Sequence, residues 1–271
     1  RGLGDVYKRQ LLPALRSTQT SIRRDVEQRP VVRWAIGTAL AALLLYVGGQ
    51  LQGVQALAVM TVAVIALIFC ARHLLPSGSL LLRRGLPSVI ALRGIAASAF
   101  FGAEAFLPLL LQRERDLSPL WAGAALSLGA LGWFSGSWMQ GHQHFGWRRT
   151  HMLQAGTWLM LAGLLITVLT LYPGVPLMLA LAGWALTGLG MGLIYPSLSV
   201  LTLSLSAPHE QGANSSALQL SEGIAVASTL AISGSLFAAT VGGNETSGYL
   251  LCFAVTLLLA GLATVVGRRI S

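Results

Sequence analysis

Three ionisable side chains, Arg93, Glu104 and Glu222, stand inside otherwise apolar stretches of the 271-residue chain. A charge at hydrocarbon depth costs about 2.5–3.5 kcal/mol on insertion scales, so such residues face a bundle interior or a water-filled path. A carboxyl placed there is a candidate proton carrier. Arg93 and Glu104 are eleven residues apart, which at about 100° per residue leaves them within about 20° of each other, three turns apart on one helix face. Arg93 is also six residues from the basic end of its stretch, about 9 Å, so it reads equally as an interface anchor that snorkels to water. Glu104 is short-stemmed and flanked by Phe100, Phe101 and Phe106. It reads as a proton carrier or as a structural carboxyl bonded to another helix. Glu222 has Ser215 and Gln219 before it and Thr229 and Ser233 after it at helical spacing. That stripe suits a cavity lining, the alternative being interhelical hydrogen bonds worth under about 1 kcal/mol each.

Tyr195, Trp184 and Met191 near Pro196, with Phe101 beside Glu104, offer an apolar and aromatic wall to a lipophilic substrate, or else pack the interior. Gly132 with Gly136 and Gly188 with Gly192 form small-xxx-small pairs that let helices approach closely. Other chemistry finds little support. His142 and His144, with His151 nearby, lack a Cys or carboxylate to complete a metal site. Cys70 and Cys252 lie in apolar stretches and suggest neither a disulfide framework nor a zinc site. Gly188-Leu189-Gly190 opens no strand-to-helix turn, so no nucleotide cofactor is expected. No nucleophile or metal set points to an enzyme. Asn244 heads a formal glycosylation sequon, relevant only in a eukaryotic secretory pathway.

The elements that must position these residues follow from composition. The chain is 54% hydrophobic and 10% charged, with mean hydropathy +0.69, whereas soluble domains carry roughly 25% charge. Residues 34–71, 117–147, 150–209 and 246–267 contain no Asp, Glu, Lys or Arg. A spanning helix needs about 20 apolar residues, and Gly, Pro and charge divide the chain into eight such segments near 31–49, 54–71, 87–111, 119–140, 151–171, 176–204, 213–240 and 248–267. The expected fold is an all-α, polytopic transmembrane helical bundle. Residues 1–10 read as a sequencing-adaptor scar, or else an authentic tail, and 11–30 as a cytoplasmic linker. Residues 31–72 hold two transmembrane helices, 73–86 a cytoplasmic loop and 87–271 a six-helix bundle. Of the 18 basic residues, 15 fall on one side of this arrangement, which places both termini in the cytoplasm. The basic charge therefore reads as membrane orientation rather than as a nucleic-acid surface, since no aromatics interleave with it.

Pro108 lies 21 residues into the third segment and Pro196 lies 20 into the sixth, each with a Gly six residues earlier, Gly102 and Gly190. An odd number of spans relates the two, so they cross in opposite directions, as in a three-plus-three inverted repeat; two unrelated kinks are the alternative.

Residues 87–269 resemble the C-terminal half of a major facilitator superfamily transporter. The residues that carry the resemblance are GAEAFLPLLL from Gly102, GSWMQGHQHFGWRR from Gly136, GLGMGLIYPS from Gly188 and PHEQGANSSALQLSEG from Pro208. The two preceding segments are similar to the extra central pair of the fourteen-span drug:proton antiporter branch, or to a shifted pair of a twelve-span protein. In the 136–149 loop only Gly146, Arg148 and Arg149 follow the family pattern well, and Gln140, His142, Gln143 and His144 stand where its acid and first Arg fall. The resemblance implies alternating access, with spans three, four, six and seven facing the cavity. It also implies an N-terminal helical bundle as the other wall, and a bacterial inner-membrane protein that exports hydrophobic or cationic small molecules against protons. A small-metabolite facilitator or importer, or a non-transporting membrane scaffold, are the other readings.

Overall fold

A computed structural model of the chain describes residues 29–51, 53–141, 148–172, 174–240 and 245–270. The adaptor-like segment 1–10, most of the linker, His142, Gln143, His144, Gly146 and Asn244 lie outside these residues. The described chain is helical throughout: α1 (Arg29–Gln50), α2 (Gly53–Leu74), α3 (Leu86–Glu114), α4 (Pro119–Gly141), α5 (Arg149–Val168) followed by a 3₁₀ turn (Leu169–Leu171), α6 (Leu177–Ser204), α7 (Gln211–Ala238) and α8 (Glu245–Gly267). Backbone groups at hydrocarbon depth must be satisfied within their own segment, and continuous helices do this. α3 runs three residues past the expected end, to Glu114, because Leu109–Leu111 continue the turn beyond Pro108.

Among the described residues, seven helices are long and apolar enough to cross a membrane, the character of an integral membrane protein. α4 is the exception to the expected eight. Its 23 residues give it the length, but five glycines and three serines dilute its hydropathy. Three of those glycines, Gly129, Gly132 and Gly136, with Ser137, press α4 against α6.

The packing has an exchange pattern. α3 packs along α7 and α8, while α6 packs along α4 and α5. The first helix of each sequence triplet, α3–α5 and α6–α8, thus lies against the second and third helices of the other. α1 and α2 pair with one another and rest on α7.

Two glycine-lined faces of α6 explain its tight fit. Toward α4, the expected small-residue pairs meet face to face. A Cβ added at Gly192 would stand 2.9 Å from the Gly136 Cα, one at Gly136 would stand 3.0 Å from the Gly192 Cα, and one at Gly188 would run into the Gly129 carbonyl. Gly132 lies against Ala185 in the same seam. Toward α5, a Cβ at Gly190 would stand 2.6 Å from the Gly156 carbonyl oxygen, and one at Gly183 2.8 Å from that of Gly163. Such backbone-to-backbone contact takes the place of the hydrophobic drive that lipid cannot supply. Gly188→Leu is therefore expected to lower the thermal midpoint in detergent, at a cost of about 1–3 kcal/mol or more. Gly261→Ala has open space at its Cβ, so it should leave the midpoint unchanged or raise it slightly.

Candidate functional site

Gly94 sets the site. A Cβ on it would lie 2.8 Å from both the carbonyl oxygen and the Oγ of Ser221, so α3 and α7 touch at this level. The residues flanking that contact, Arg93 and Glu222, face each other. Arg93 Nε donates to Glu222 Oε2 at 2.7 Å, with the Arg93 side chain 8% exposed and that of Glu222 21%. Arg93 Nη2 also reaches Gln219 Oε1 at 3.4 Å. The interface-anchor alternative for Arg93 is overturned. Its guanidinium turns inward to a counter-charge instead of snorkelling to water.

α6 contributes the third member. Tyr195 donates its phenolic hydroxyl to Glu222 Oε1 at 2.8 Å, and the Arg93 guanidinium carbon lies 3.4 Å from the Tyr195 ring centroid. Arg93 Nη1 stands 3.5 Å from the Tyr195 carbonyl oxygen. Both carboxylate oxygens of Glu222 therefore have donors, one charged and one neutral. Charge-assisted bonds of this kind are roughly twice as strong as neutral ones, and a cation over an aromatic face adds further attraction when desolvated.

Tyr195 is held by the proline that follows it. Pro196 lacks an N–H, which frees the carbonyl of Gly192 four residues earlier. Ser137 of α4 donates its hydroxyl to that carbonyl at 3.3 Å. Gln140, one turn on, donates Nε2 to the Leu193 carbonyl at 2.5 Å and also to Ser197 Oγ. The interrupted ladder is thus repaired by a neighbouring helix, the condition under which such a break is tolerated in a membrane. In α3 the Pro108 carbonyl accepts from Gln112 Nε2 at 3.2 Å.

Glu104 lies elsewhere. It is half-buried and faces a recess of about 400 Å³ between α3 and α4, whose wall is Phe100, Phe101, Trp133 and Phe134 with Ser137. The shared face of Arg93 and Glu104 does not bring their charges together, since Arg93 engages α7. One residue links the two places. The Trp133 ring lies 4.6 Å from that of Tyr195 at 67° and 6.2 Å from that of Phe101, so an aromatic path runs from the recess to the ion pair.

Several expectations need correction. Trp184 does not line a cavity. It is fully buried, stacked on Phe100 at 4.9 Å and seated against Gly129, whose missing side chain makes room for the indole. Met191 is likewise core. The polar stripe on α7 divides: Ser215 and Glu222 are half-buried and Gln219 is exposed, whereas Thr229 and Ser233 are buried between helices. Thr229 packs with Thr256 onto Gly102, and the Ser233 carbonyl accepts from the Cys252 thiol at 3.3 Å. Sequence reasoning missed Trp133, Gly94 and Ser137. An aromatic four residues before Ser137 on a Gly-rich helix was the available signal for Trp133.

No family model matches the chain, and no curated protein matches it either.

Removing the Tyr195 hydroxyl leaves one Glu222 oxygen without its donor. Tyr195→Phe is expected to cost about 1–2 kcal/mol in detergent unfolding. Its effect should be non-additive with Glu222→Gln in a double-mutant cycle, by at least about 0.5 kcal/mol. Additive effects would show that the two side chains do not interact.

Proposed function

We propose that the chain forms one half of a proton-coupled secondary transporter of the major facilitator type, resembling its fourteen-span antiporter branch and exporting hydrophobic or cationic small molecules by alternating access. The observation that carries this reading is the Arg93–Glu222–Tyr195 cluster, which ties α3, α6 and α7 together through one carboxylate at membrane depth. A proton on Glu222 neutralises the partner of Arg93 and weakens the bond between α3 and α7. Protonation is thereby coupled to movement of the helices that bound a cavity. Deprotonation closes them again.

The Glu104 recess supplies the complementary substrate chemistry. Four aromatic rings and one carboxyl around about 400 Å³ suit an organic cation with apolar substituents, since ring faces attract positive charge and pockets of this size take small molecules. Trp133 touches both the recess and Tyr195, which gives substrate binding a route to the ion pair. A preceding helical bundle of the same protein forms the opposite wall in this reading. The membrane is the bacterial inner membrane with both termini cytoplasmic, in keeping with the arginines at the ends of α2 and α8 and the start of α5.

A scaffold reading draws on the same pair, because a satisfied buried ion pair also holds helices together. Transport separates the two. In the complete gene product reconstituted into vesicles with a pH gradient, Glu222→Gln is expected to reduce gradient-driven movement of a lipophilic cation on the order of a hundredfold, the scale of a positioned proton-transfer group. Glu104→Gln should weaken cation affinity more than it alters pH dependence. Unchanged pH-dependent transport in both variants would remove the proton-coupling assignment.

A further inference from the structure

A second cleft lies apart from the ion pair, between the α1–α2 pair and the bundle. It measures about 410 Å³, and Val64 and Ile68 of α2, Ala91 and Ile95 of α3, and Ile224 and Ile232 of α7 form its walls. Two of its three hydroxyls are turned to their own backbone: Ser228 Oγ donates to the Ile224 carbonyl at 2.7 Å and Ser79 Oγ to that of Pro76 at 2.8 Å. With Ser221 at one end, the rest of the lining is hydrocarbon. From Ser221 to Ile232 the α7 wall extends about 16 Å along the helix axis.

The cleft does not end in hydrocarbon. Leu75, Ser79 and Leu80 line it and also line an adjoining recess of about 310 Å³ whose wall includes Arg72. Arg83 and Arg84 follow in the same loop, and all three arginines are exposed. Arg72 leans over the Phe69 ring at 5.3 Å. Among the described residues none of the three forms an ion pair with a carboxylate. An apolar slot opening onto a recess walled by Arg72, with the Arg83 side chain lying against Gly78 of the same recess, has the charge and shape complement of one molecule class.

We propose that this cleft holds an acyl chain of an anionic phospholipid, with the headgroup phosphate at Arg72, Arg83 and Arg84. Basic recesses between membrane helices take anionic headgroups in this way. The lipid bridges α2 to α3 and α7, and so braces the two-helix pair against the bundle on the face of α7 that Ser221 and Ile224 share.

The test is native mass spectrometry of the full chain in detergent, with phosphatidylglycerol or phosphatidylethanolamine of equal chain length added, together with thermal unfolding under the same conditions. The chain is expected to retain phosphatidylglycerol at least about fivefold better per arginine engaged, the weight of one basic residue at an anionic surface, and to unfold at higher temperature with it. Arg72→Gln/Arg83→Gln/Arg84→Gln should abolish the preference between the two lipids. Ile68→Trp, an exposed cleft residue, should lower retention of both lipids without altering monodispersity. Equal retention of the two lipids by the unsubstituted chain would overturn the proposal. So would displacement by inorganic phosphate alone, or retention of a neutral diacylglycerol as strong as that of phosphatidylglycerol.

Discussion

Lipid cannot solvate a guanidinium, a carboxylate or a freed peptide carbonyl, so such a group at membrane depth needs a partner within the protein or a hydrated recess. Arg93 is the most demanding case. It meets Glu222, Gln219 and the face of Tyr195 together, and in doing so it determines which faces of α3, α6 and α7 turn toward one another. The carbonyl freed by Pro196 is a smaller instance of the same constraint, met by Ser137 from α4.

These polar points are few, and between them the packing is close. α6 is pressed between α4 and α5 by glycine contacts on two faces, while α3 meets α7 at Gly94 and α8 at Gly102. The result is two closely packed groups, α4 with α5 and α6, and α3 with α7 and α8, which meet along α3–α6 and α5–α8 as well as where Tyr195 reaches Glu222. Trp133 stands at the junction, in contact with Tyr195 and with the walls of the Glu104 recess.

The helical, membrane-spanning character was readable from charge-free stretches alone, because the length of an apolar run is a property of the chain by itself. The unusual positions were equally visible: a charge such as Arg93 or a proline such as Pro196 stands out against hydrocarbon. Partners were not. Arg93 and Glu222 are 129 residues apart, and helical periodicity places a side chain on a face without saying which helix the face meets. Trp184 and Phe101 show the same gap, since buried and lipid-facing surfaces are both apolar and a hydrophobic pattern cannot tell them apart. Only the glycine beneath Trp184, on another helix, makes it core. For α4 the usual signal reversed: the small residues that bind it to α6 lower the hydropathy by which a span is recognised.

Exchange of the two charges tests the central ion pair most directly. Arg93→Glu and Glu222→Arg, each alone, place two like charges at facing positions of α3 and α7 and should leave the detergent-solubilised chain aggregated or far less heat-stable. The double exchange should recover a monodisperse chain with most of its thermal stability. Single reversals that behave like the unsubstituted chain, or a double exchange no better than either alone, would contradict the pairing of α3 with α7 through these residues.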